Sequence, residues 1–135
     1  MDNMTPIIDL WKESGRDMEL TISGTSMEPT LRAGDIVIIR LNNDDLKRGD
    51  LIAYMNNGGI ILHRLVAIRT GSNGREYCQK GDNMKGWCWV HEDSVVGKVV
   101  SVNRMGNIVD ISNFQRRRFT VLLGLKGALI ISAME

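Results

Sequence analysis

The chain has 135 residues, enough for one domain with its own core and too few for two ordinary ones. Its 17 basic and 16 acidic side chains leave a formal net charge of +1, which excludes a broad electrostatic field aimed at DNA, RNA or an anionic substrate. Two cysteines are too few for a disulfide framework and fit a reducing compartment, although one bridge between Cys78 and Cys88 stays open; 14 glycines, few aromatics and short Ile, Val and Leu blocks favour many short strands over a helical bundle.

The N-terminal stretch "MDNMTPIIDLWKESG" has neither the basic start nor the apolar core of a secretory signal. Thr5 can cap a helix with Pro6 at its first position; Ile7, Ile8 and Trp11 follow at helical spacing, and Gly15 can end it. Residues 1–17 are therefore predicted to hold one short amphipathic helix. From there the period changes to that of strands. Seven strand-length segments, "MELTISG", "DIVIIRL", "DLIAYM", "GIILHRLVAI", "REYCQK", "SVVGKVVSV" and "NIVDI", are separated by Gly, Asn or Asp turns. They make residues 18–111 an all-β, mostly antiparallel domain.

Two segments echo one another, "LRAGDIVI" and "LKRGDLIA". In each, glycine can take a positive φ and aspartate can accept hydrogen bonds from backbone amides before the strand begins. Two copies cannot build a solenoid, so the echo is turn chemistry. Arg48-Gly49-Asp50 then opens a strand and is no adhesion signal. Cys78, Cys88 and His91 have a spacing too loose for a structural metal, and none is expected. Trp87 and Trp89 are expected to form a hydrophobic flap over the core or near a substrate groove. Residues 112–135 form a tail in which Arg116, Arg117 and Arg118 precede an apolar segment.

The chemistry lies in three polar residues. Ser26 stands in "SGTSMEPTLRAGD", His63 in "ILHRLVAI" and Asp82 in "QKGDNM", with Asp93 further on. A serine needs a base to become a nucleophile near neutrality, and imidazole, with a pKa near ~6.5, can take its proton and pass it to a leaving amine. A carboxylate on the far ring nitrogen would fix the tautomer and stabilise the imidazolium. Taken singly, the serine is a turn residue, the histidine a core residue and the aspartate a turn cap. It is the ordered set that points to acyl transfer.

Block by block, "SGTSMEPTLRAGD", "RGDLIAYM", "HRLVAI", "KGDN" and "VVGKVV" resemble the signal peptidase family of membrane-associated serine proteases. The resemblance runs from Thr21 to about Val102. Self-cleaving repressors of the LexA type are related, sharing the serine-methionine turn and the all-β fold. The resemblance implies a signal-peptidase/LexA-like β fold with a short N-terminal helix and a C-terminal apolar helix or tail. In that family, bacterial leader peptidases have Lys-Arg where the endoplasmic-reticulum type and its relatives in spore-forming bacteria and archaea have His-Arg. His63-Arg64 resembles the latter branch, which implies Ser26 as nucleophile and His63 as base.

Two departures bear on the site. The Ser-His branch has a further acid shortly after Gly-Asp-Asn, whereas this chain reads "GDNMKGWCWVHED"; the third member is then Asp82, Asp93 or none, with Asp82 favoured. Bacterial relatives often have a serine two positions before the nucleophile that assists the oxyanion, and that position is Gly24 here. The Ser26 N–H is then the expected oxyanion donor, helped by Thr25 or Ser23. Met27 is expected either to line the substrate subsites or to pack in the core.

By resemblance the activity is that of a serine endopeptidase cleaving leader or signal peptides after small residues, with no cofactor. The partner is an extended peptide or precursor protein and not a nucleic acid. Members usually carry an N-terminal transmembrane anchor, and no run here reaches the ~20 apolar residues that a span requires. The tail, similar to the basic-then-apolar ending of the endoplasmic-reticulum members, reads either as a helix at an anionic membrane surface or as a helix packed on the β core or a second subunit. The expected location is cytoplasmic, with peripheral membrane contact through that tail. Two other functions fit the same fold: a self-cleaving regulatory domain, disfavoured by the histidine where those proteins use lysine, and a noncatalytic peptide-binding module, which Gly24 and the missing acid keep open.

Overall fold

A computed structural model describes residues 5–109, 111, 119–123 and 129–133. Helix α1 spans Thr5–Ser14. It buries Ile8 and half-buries Trp11, while Ile7 and Leu10 face outward. The Gly15 N–H donates to the Lys12 carbonyl at 3.2 Å with φ at 69°, a left-handed stop that glycine makes without steric cost.

All seven expected strands form: β1 (Met18–Thr21), β2 (Ile36–Arg40), β3 (Leu51–Asn56), β4 (Gly59–Gly71), β5 (Gly74–Lys80), β7 (Val95–Arg104) and β8 (Asn107–Val109). One further strand, β6 (Cys88–His91), lies between β5 and β7 in sequence and is followed by a 3₁₀ turn at Glu92–Ser94. Together they make one sheet in the order β1-β2-β7-β3-β4-β5-β6, with β8 added to β7. Every pairing is antiparallel. The β3–β4 hairpin turns through Asn57 and Gly58, both at positive φ, the pairing that a two-residue hairpin demands.

β3 is buried on both faces, so its successive side chains feed two cores. Leu51 and Ala53 join Ile8, Met27, Leu31 and Val37 in one cluster. Ile52 and Tyr54 join Leu65, Tyr77 and Val95 in the other. This central position, with β4 directly beside it, gives the mid-strand residues of β4 a rigid setting.

The tail departs from the expected helix. Its apolar part forms two antiparallel strands, β9 (Phe119–Leu123) and β10 (Leu129–Ala133), paired from Leu129 against Leu123 to Ala133 against Phe119. Phe119, Thr120, Val121, Ile130 and Ile131 are strand formers, and Gly124 and Gly127 between the runs weaken a continuous helix. The basic run Arg116–Arg118 lies outside the described residues. Among the described residues, no helix is long and apolar enough to cross a membrane.

Candidate active site

Ser26 sits on the loop between β1 and β2. The base of the loop is closed by the Ile22 N–H on the Asp35 carbonyl and the Gly34 N–H on the Ile22 carbonyl, each at 2.8 Å. Its interior is pinned by the fully buried Thr30 and Leu31 and by Met27, which is 3% exposed. From across the molecule the "KGDN" turn grips the same loop. The Asn83 N–H donates to the Ser26 carbonyl at 2.8 Å, the Asn83 side-chain amide donates to the Thr25 carbonyl at 3.1 Å, and the Asp82 N–H meets Met27 Sδ at 3.3 Å. Gly81 has no room for a side chain, since a Cβ there would lie 2.7 Å from the Ser26 carbonyl oxygen. Two blocks 55 residues apart thus become one rigid support.

His63 projects from the middle of β4 and is 7% exposed. Its Nε2 lies 3.1 Å from Ser26 Oγ. On the other side of the ring, Nδ1 lies 2.5 Å from Gln79 Oε1 and 3.3 Å from Tyr54 Oη. Burial holds the His63 pKa below its ordinary value; the Gln79 hydrogen bond and the Asp82 charge work against burial without cancelling it. The imidazole is therefore neutral at neutral pH, and its Nε2 is positioned to accept the serine proton.

Asp82, favoured as the acid behind the histidine, is engaged elsewhere. Both its oxygens take the Arg64 guanidinium, at 2.8 and 2.7 Å, and Thr30 Oγ1 donates to Oδ2 at 2.5 Å. The reason is strand geometry: His63 and Arg64 are consecutive, so they point to opposite faces of β4. Gln79 pairs with Leu65, in phase with His63, and so occupies the place expected for Asp82. Burial pushes the Asp82 pKa up, but Arg64 and Thr30 outweigh it and hold the carboxyl below its ordinary range, so Asp82 is an anion. Arg64, 1% exposed, also donates to the Gly49 carbonyl at 2.9 Å and ties the "RGD" turn to the site. The alternative acid, Asp93, is exposed and lies beside His91 in the 3₁₀ turn.

Gln79 has no motif to announce it. The one signal in the sequence is that it alternates in phase with Tyr77 in "REYCQK", an inward position for a polar side chain.

A groove of about 230 Å³ opens beside Ser26, walled on one side by Leu20, Ile22 and Gly24 and on the other by Ile60, Ile61 and Leu62. Met27 both packs in the core and lines this groove. Among the described residues, the Ser26 N–H meets no acceptor, which leaves it free to receive an oxyanion. Ser23 and Thr25 are exposed on the same loop, and a Cβ at Gly24 would meet nothing within 4 Å.

The remaining candidates lie apart. Cys78 pairs with Trp89 and Gln79 with Cys88, so the two cysteines point to opposite faces of the β5–β6 ribbon and both are free thiols. His91 is occupied by the Asn73 carbonyl at 2.7 Å and the Asp93 N–H at 3.1 Å. Trp89 covers the small cluster of Val66, Ala67 and Cys78, with the Arg69 guanidinium 4.0 Å above its ring. Neither Trp89 nor the exposed Trp87 lines the groove.

No curated protein matches the chain. A family model described as Peptidase S24-like matches residues 2–74, more than half of the 135 residues and the whole stretch from Ser26 to His63, and the chain belongs to that family of serine peptidases and LexA-like self-cleaving domains.

Proposed function

We propose that this protein is a serine endopeptidase of the Ser-His type that cuts extended peptide segments, such as leader or signal peptides, after small residues. The observation that carries the proposal is the 3.1 Å contact between Ser26 Oγ and a buried, neutral His63 at the mouth of a groove. The substrate lies extended between the Ile22–Gly24 and Ile60–Leu62 walls. Ser26 Oγ attacks the scissile carbonyl carbon while its proton passes to His63 Nε2, and the Ser26 N–H receives the oxyanion. Collapse of the tetrahedral intermediate breaks the C–N bond, and Nε2 returns the proton to the departing amine. Water, deprotonated by Nε2, then releases the acyl group from Ser26. Asp82 and Arg64 take no proton in this scheme; they hold the loop that carries the nucleophile.

The test is mass-spectrometric mapping of cuts in a library of extended peptides containing Ala-x-Ala, by the native chain, Ser26→Ala and His63→Ala, in buffer and with anionic vesicles. Cuts after small residues that vanish in both variants are expected, and faster cutting with vesicles would assign a membrane contact to the tail. A library left uncut in both conditions would sink the proposal. The family match supports a second outcome, self-cleavage: it would show as one Ser26-dependent nick in the intact mass of the purified chain.

A further inference from the structure

We infer that Gln79 is a positioning residue that holds His63 as its Nδ1–H tautomer, a neutral amide standing where a Ser-His-acid triad has a carboxylate; the inference rests on the Ser-His mechanism above. Gln79 Oε1 faces Nδ1 at 2.5 Å, and an amide oxygen only accepts, so the ring proton belongs on Nδ1. The lone pair then lies on Nε2, toward Ser26 Oγ at 3.1 Å. A ring protonated on Nε2 would face the serine as a donor and could not take its proton. An acceptor at Nδ1 is what separates the two cases.

The amide is itself held. Gln79 is 8% exposed and sits in register between Leu65 of β4 and Cys88 of β6. The other group at Nδ1, the Tyr54 hydroxyl, is 3.3 Å away and stays protonated, since burial pushes its pKa to about 12. The carboxylate whose charge bears on the ring, Asp82, is bound to Arg64 and Thr30. Among the described residues, then, no ionised group touches Nδ1. The ring is oriented without the adjacent negative charge that would make it a stronger base.

The chain has two histidines, so ¹⁵N shifts resolve His63 with His91 as an internal reference. The native chain is expected to show Nδ1–H at His63. Gln79→Leu removes the acceptor and is expected to move the population toward Nε2–H, with His91 unchanged. Gln79→Glu keeps an acceptor and adds charge, so the tautomer stays and the His63 titration midpoint rises by roughly one unit or more. In peptide cleavage, Gln79→Leu is expected to lower kcat by about 10- to 100-fold at constant KM, and Gln79→Glu to recover part of that loss.

A native ring already protonated on Nε2, or a Gln79→Leu ring still protonated on Nδ1, overturns the inference. So does a Gln79→Leu variant with native kcat. If Gln79→Leu does not fold, the titration of Gln79→Glu decides: a midpoint unmoved from the native value overturns it. If the native chain cuts no peptide, the peptidase proposal fails while the tautomer measurement still decides the role of Gln79.

Discussion

The Ser26–His63 hydrogen bond puts a proton acceptor on a hydroxyl whose main chain the "KGDN" turn clamps, and the acceptor's environment sets when it works. Burial lowers the His63 pKa below 6.5, so the acid limb of kcat/KM is expected below that value and the profile is flat through neutrality. His63→Ala should cost about 10²- to 10⁴-fold in kcat. A limb near pH 9 or above would hand the role of base to a lysine, and Lys80, whose ammonium reaches the Gly81 carbonyl at 3.2 Å, would be the one to replace. A second prediction concerns Gly24, where relatives often carry a serine that assists the oxyanion. Space is open there and its φ is ordinary, so Gly24→Ser is expected to leave the melting temperature unchanged and to raise kcat, by up to about 10²-fold if the hydroxyl reaches the oxyanion. A lower kcat in folded Gly24→Ser would place the oxyanion elsewhere. At this scale Ser26 and His63 were legible because each sits in a recognisable block. Gln79 was not, because what makes it relevant is the register of β5 on β4.

Between residues and fold stand the turns, and these read well from sequence because their chemistry is local. In "LRAGD" the Asp35 carboxylate accepts the Arg32 N–H at 2.8 Å, and in "LKRGD" Asp50 accepts the Lys47 N–H at 2.7 Å. Gly34 and Gly49 take φ of 94° and 102°, as the echo required. A third Gly-Asp segment, "KGDN", does something that no local rule predicts: it lays its backbone against a loop 55 residues away. Gly81→Ala is therefore expected to push the Ser26 carbonyl away by its new methyl group, and Asn83 with it. Cleavage should fall at least tenfold, since misplacing a reacting atom by about 1 Å can cost 10²-fold. The melting temperature should drop by only a few degrees, because the displaced segment is a surface loop. Full activity in this variant would show that the clamp has no part in placing Ser26. The tail is a strand pair where its sequence suggests a helix for the opposite reason: its apolar residues are compatible with either period, and pairing between the two runs makes strands of them.

Across the whole molecule, sheet order was beyond the sequence, since β7 enters between β2 and β3, which follow one another along the chain. The fold also buries Asp35, His63 and Arg64, and the pH dependence of stability follows from these groups and their partners. Asp35 is held below its ordinary pKa of 3.8 chiefly by its hydrogen bonds to Arg104, and Asp82 is held below the same value by Arg64 and Thr30 against its burial. Each carboxylate binds fewer protons folded than unfolded, so its contribution is full above pH 3.8 and is lost as pH falls through the lowered folded values. His63 acts in the same direction but earlier. Its folded pKa lies below 6.5, so between that folded value and 6.5 the unfolded chain binds the extra proton and stability falls on acidification. Unfolding by urea as a function of pH is thus expected to show a loss in two stages, a first beginning near 6.5 and a second beginning near 3.8. His63→Gln should erase the first stage and leave the second, because the Arg64–Asp82 pair lies on the opposite face of β4 from the ring it replaces. A first stage that survives in His63→Gln would mean that His63 is not the buried neutral group responsible, and the low acid limb expected for catalysis would lose its basis with it.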